Sequence, residues 1–236
     1  MPRIKVNDIN MYYEIHGKGE PLVLIAGLST DISEYATLIK GLSKTYKVLA
    51  FDNRGAGRTD MPNIPYSIDM MANDTACLME KIGFGKANVL GISMGGRIAQ
   101  VLALNHPKLV RSLILISTSA QSESKWYFYI LSLFTNLPLL RSKYPQPRYA
   151  HIRQRRTMYN HDVTEKVNSL NIPVLILHGS RDRIIDYALA EKMHEAIKGS
   201  KIIKFNGGHS FFFYRFPLVV EAINKFLAKP EKQIDS

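Results

Sequence analysis

Short, continuous apolar runs alternate along the chain with segments whose apolar positions recur at helical spacing. The runs Leu22–Ala26, Tyr46–Phe51, Ala87–Ile92, Val110–Ser117, Ile172–Gly179 and Lys201–Phe205 read as strands, most of them buried on both faces. Ahead of them, Ile4–Val6 and Met11–Ile15 alternate like half-buried strands and predict a hairpin across an Asp8-Ile9-Asn10 turn. Between the runs lie the helices. One follows a cap at Ser29, Thr30 or Asp31 and extends to about Leu42. A second starts after Ser67, carries Ile68, Met71, Thr75, Leu78 and Ile82 on one stripe, and stops at Gly83. A third follows the run 87–92 and ends at Pro107. Two more span Ala188–Ala196 and Pro217–Ala228. This order predicts an α/β fold: a mostly parallel sheet of about eight strands, right-handed crossovers, and helices on both faces. From Gln121 to about Leu170 the alternation breaks down, so residues 1–120 and 171–236 form the expected core domain and 121–170 an insertion after the sixth strand.

Composition narrows the class. The chain has 236 residues, 46% hydrophobic and 22% charged, as an ordinary globule of one domain plus an insertion has. A single cysteine, Cys77, excludes an internal disulfide and reads as a small apolar side chain in a helix. The opening Met1-Pro2-Arg3-Ile4-Lys5 has no apolar export signal, so a cytoplasmic location is expected. The net charge of +11 could suit nucleic acid or an anionic membrane surface. No one-sided Lys/Arg stripe or nucleic-acid motif accompanies it, so a basic solvated face is the expectation, without nucleic-acid binding or stable membrane insertion.

The candidate chemistry starts at Gly91-Ile92-Ser93-Met94-Gly95-Gly96. A Gly-x-Ser-x-Gly between a strand and a helix is the pattern of a nucleophile elbow. Side chains at 91 and 95 would collide across the turn, and Gly96 lets the helix approach the strand. A serine hydroxyl needs a base, and the base needs an orienting carboxylate. Of seven histidines, His209 stands in a glycine loop, Asn206-Gly207-Gly208-His209, directly past a strand end. Asp182 follows another strand end and precedes the histidine, in the order Ser, acid, His. Asp186 competes for that role but suits the cap of the next helix, and His178 suits bracing of the loop that follows it. Asp52 precedes the serine and suits holding the Gly55/Gly57 loop. Two backbone donors are also required for a developing oxyanion. Met94 follows the serine, and Leu28 follows the tight turn at Gly27 after the third strand.

These stretches resemble the α/β-hydrolase fold family, in particular its branch of serine esterases, enol-lactonases and cofactor-free haloperoxidases. Ala26-Gly27-Leu28, Asp52-Asn53-Arg54-Gly55-Ala56-Gly57-Arg58, the elbow, His178-Gly179-Ser180-Arg181-Asp182 and Gly208-His209-Ser210-Phe211-Phe212 carry the resemblance in the family's order. It implies Ser93 as nucleophile, His209 as base, Asp182 as its orienter, the Leu28 and Met94 amides as oxyanion hole, and no metal or organic cofactor. It also implies that 121–170 forms a helical cap (lid) over the site. Two positions depart from the pattern. Ala26 stands where a histidine is frequent, and Tyr214-Arg215 where an acidic residue is frequent. Serine rather than aspartate at 93 argues against dehalogenase and epoxide hydrolase chemistry.

The implied reaction is cleavage of carboxylic esters or lactones with small to medium acyl groups through an acyl-enzyme. The rivals are a C–C bond hydrolase or perhydrolase using the same three residues, and a non-catalytic binding protein on the same fold. Trp126, Phe128 and Leu131, in an uncharged part of the insertion, and Phe211 are the candidate pocket-lining residues. The second half of the insertion is basic, with Arg141, Lys143, Arg148, Arg153, Arg155, Arg156 and Lys166; one of these facing inward would favour an anionic substrate. The expected partner is a small-molecule ester or lactone, and a homodimer stays open as an oligomeric state.

Overall fold

The computed structural model describes residues 2–122, 143–159 and 161–228. Eight strands form one sheet among them: β1 (Arg3–Val6), β2 (Ile9–His16), β3 (Glu20–Ile25), β4 (Tyr46–Phe51), β5 (Ala87–Ile92), β6 (Val110–Ile116), β7 (Val174–Gly179) and β8 (Lys201–Phe205). Their spatial order is β1-β2-β4-β3-β5-β6-β7-β8. The β1–β2 and β2–β4 pairs are antiparallel and every other pair is parallel.

Side chains alternate across the sheet because successive Cβ atoms in a strand point to opposite faces. Val23, Val89, Leu113 and Ile176 join one buried cluster; Leu24, Leu90, Ile114 and Leu177 join another on the opposite side. The first cluster is covered by α2 (Ile68–Lys81), α3 (Met94–Asn105) and α5 (Tyr187–Ala196), and the second by α1 (Ala36–Leu42), the short α6 (Phe211–Tyr214) and α7 (Phe216–Leu227). A further helix, α4 (Arg148–Arg156), lies between β6 and β7 in the chain.

The first turn differs from the expectation. Asn7 and Asp8 alone make it, with Asn7 at φ 49°, and Ile9 already pairs with Val6 in β2. Burial decides this: Ile9 is 1% exposed, and asparagine tolerates the left-handed conformation that a two-residue hairpin needs.

The chain leaves β3 for β4 on one side, then returns across β3 to reach β5 on the other. At such a switch point the loops after β3 and β5 diverge and leave a crevice beyond the carboxyl ends of the strands. The Gly27–Leu28 and Ser93 turns follow those two strands directly. Residues 120–122 and 161–163 run side by side: Val163 N donates to Ala120 O at 2.8 Å and Ser122 N to His161 O at 2.7 Å. Among the described residues no helix is long and apolar enough to cross a membrane.

Candidate active site

Ser93 joins β5 to α3 with φ 54° and ψ −118°, a conformation that is strained for any residue with a side chain. Its backbone is tied down on both sides, N to Ile116 O at 2.9 Å and O to Gly96 N at 2.9 Å and Thr118 Oγ1 at 2.8 Å. A Cβ at position 91 would strike the Gly95 carbonyl, and one at 95 would strike the Ile25 carbonyl. One at 96 would overlap the Thr118 side chain. The three glycines are what allow this turn to close.

The loop after β8 brings His209 over the turn, with Nε2 3.0 Å from Ser93 Oγ. Its Nδ1 lies 2.8 Å from Asp182 Oδ2, across a separation of 27 residues. The other oxygen, Asp182 Oδ1, accepts from Ile184 N at 2.8 Å and Ile185 N at 3.0 Å. Burial alone would push this carboxyl up. The hydrogen bonds from His178 and His209, with the nearby His209 charge and the Ile185 amide, outweigh it and hold the group well below the usual carboxylate range. Asp186, the competing acid, instead caps α5 by accepting from Ala188 N at 2.9 Å. Asp52 accepts from Ile32 N and Arg58 N, which joins the glycine loop to the loop after β3.

That loop turns through Ser29, at φ 59°. The Gly27 amide donates to Tyr35 Oη at 3.1 Å and the Ser29 amide to Gln154 Oε1 at 2.9 Å, so Leu28 is the one between them. The Met94 amide opens α3, where a helix has no intrahelical acceptor for its first N–H groups. The turn that carries Leu28 lies close to Ser93: a Cβ on Gly27 would lie 3.6 Å from that of Ser93. The Tyr35 phenol is pushed up to about 12 by burial and stays a neutral hydrogen-bonding post.

A family model described as alpha/beta hydrolase fold matches residues 20–158, more than half of the chain, and one described as TAP-like protein matches residues 150–235. The chain belongs to the α/β-hydrolase fold family. This hydrolase is 26% identical to the AB hydrolase superfamily protein YisY of Bacillus subtilis, over 94% of the chain and 95% of that protein. It is 25% identical to the human serine hydrolase BPHL, over 85% of the chain and 76% of that protein. The crystal structure of the enol-lactonase from Burkholderia xenovorans LB400 superposes with a TM-score of 0.84 at 22% identity, over 97% of this chain and all (100%) of that one.

Sequence reasoning missed several residues that build the hydrolase's site. Ser117, at φ 49°, donates through Oγ to the His209 carbonyl at 2.8 Å. Asn53 Nδ2 donates to Ala26 O at 2.9 Å and fixes the end of β3. Gln154, fully buried on α4, also donates to Arg54 O at 2.7 Å. No local signal marks any of them. Phe211 is fully buried in the core cluster, stacked on Phe205 with ring centroids 4.7 Å apart. Trp126, Phe128, Leu131 and Arg141 lie outside the described residues.

Proposed function

We propose that this α/β-hydrolase cleaves carboxylic esters or lactones with small to medium acyl groups through a covalent acyl-serine. The observation that carries the reading is the unbroken contact chain from Ser93 Oγ through His209 to Asp182, at 3.0 and 2.8 Å. As Ser93 Oγ attacks the carbonyl carbon, His209 Nε2 takes its proton, and the carboxylate behind Nδ1 stabilises the imidazolium. The carbonyl oxygen becomes an oxyanion that the Leu28 and Met94 amides stabilise. Collapse expels the alkoxide, which receives the proton from His209. In a lactone the leaving group stays tethered to the acyl chain. Water then gives a proton to His209, attacks the acyl-serine, and releases the acid. The kinship with a human protein named a serine hydrolase supports the same chemistry.

The test is labelling by a fluorophosphonate together with turnover of aryl acetate and butyrate. Both are expected in the wild type, and both are lost in Ser93→Ala. Persistence of either in that variant removes the assignment.

A further inference from the structure

Helix α4 packs against the loop after β3. From its middle His151 Nδ1 meets Ser29 Oγ at 2.5 Å and Gln154 Oε1 holds the Ser29 amide, so this face rests on the loop after β3. Just past its end the Met158 carbonyl accepts from Arg97 Nη1 at 3.0 Å, and Arg97 lies one turn along α3 from Ser93. Residues 151–158 therefore link the loop after β3 to α3.

Arg155 lies between these anchors. It is one residue past Gln154 and one turn past His151, on the face that those two direct at Ser29. The other cations of the helix face elsewhere: Arg148 and Arg156 are exposed, and Arg153 reaches Asn63. Two buried nitrogens on the docked face have no partner among the described residues, His151 Nε2 and Arg155 Nε. Arg155 forms no ion pair with a described carboxylate. A guanidinium drawn partly out of water without a counter-charge costs stability, and a bound anion offsets that cost. Its planar fork suits a carboxylate better than a point charge would.

We infer that Arg155 and His151 form a subsite for a carboxylate carried by the substrate, on the portion that passes the Leu28–Ser29 turn. The inference rests on the ester or lactone hydrolase reading and adds the class of substrate. The site selects half-esters of dicarboxylic acids, or lactones with a carboxylate arm, over neutral counterparts of equal length.

The test compares ethyl hydrogen succinate with ethyl butyrate. In the wild type kcat/KM favours the half-ester by at least tenfold. Arg155→Met collapses that ratio, chiefly through KM on the half-ester, while Arg155→Lys keeps part of it. His151→Asn, which retains a polar group near Ser29 and removes Nε2, lowers the ratio as well. Arg156→Met, one residue along but exposed, leaves the ratio as it was. A wild-type ratio near one, or a ratio that survives Arg155→Met, overturns the subsite and leaves the hydrolase reading standing. No turnover of either ester, with Ser93 unlabelled by fluorophosphonate, overturns both.

Discussion

His178 Nε2 lies 3.2 Å from Asp182 Oδ2, the oxygen that also receives His209. The same nitrogen is 2.9 Å from Ile185 O, and the ring is fully buried. His178 braces its loop as expected, and it also holds the carboxylate in place behind His209. Replacing it by leucine removes this donor. A hydrogen bond to a charged group contributes about 1.5–3 kcal/mol, so kcat should fall about 10- to 100-fold with KM nearly constant. His178→Gln, which restores an N–H, should recover most of the loss. If leucine and glutamine variants lose activity equally, the donor is irrelevant and only the shape of the ring matters.

Ser117 acts from the opposite side. Its hydroxyl is the partner of the His209 carbonyl, and alanine leaves that carbonyl without it. At about 1 kcal/mol for a neutral hydrogen bond, kcat/KM should drop roughly fivefold. Steady-state kinetics beside a thermal melt would check this. A stability loss with unchanged kinetics would show that Ser117 supports the fold and not the placement of His209.

Leu28→Pro removes one backbone donor at the loop after β3. Loss of a single oxyanion donor costs about 100- to 1000-fold in kcat. Fluorophosphonate labelling should slow as well, because its phosphoryl oxygen uses the same amide. Ordinary kinetics in a folded Leu28→Pro protein would exclude this amide from the oxyanion hole.

Stability should fall in mild acid. Burial, with the charge of Arg97 added, pushes His161 down to about 3, and burial followed by Arg155 pushes His151 down too. A histidine kept neutral by the fold contributes stability that is complete above about pH 6.5, where the unfolded imidazole is also neutral. That contribution is lost as pH falls toward the folded value, by about 1.4 kcal/mol per unit for one such group. Asp182 works in the opposite window: its depressed carboxyl stabilises the fold above the ordinary value of 3.8 and weakens only below it. Urea midpoints at pH 7 and pH 5 should therefore drop in the wild type and drop less in His161→Leu. Equal drops in both proteins would place the acid sensitivity elsewhere.

Much of the frame was legible because its signals are local. Turn chemistry and burial period put β5 at Ala87–Ile92 and α2 after a Ser67 cap, where the structure has them. The glycines around Ser93 announced a turn whose carbonyls leave no room for a side chain. His209 and Asp182 could be picked because each follows a strand end, and a parallel sheet gathers those ends at one edge.

The sequence by itself determined the strands and the main helices of the core, that the sheet is mostly parallel, and which serine, histidine and aspartate to expect past the carboxyl ends of its strands. Only the tertiary structure decided that Ser117 grips the His209 loop, that Gln154 holds Ser29 from 125 residues away, and that Phe211 faces the core. The physical reason is range. Propensity and periodicity act within a turn or two of chain, while a lone buried hydrogen bond between distant segments depends on the packing of everything between them and leaves no periodic trace.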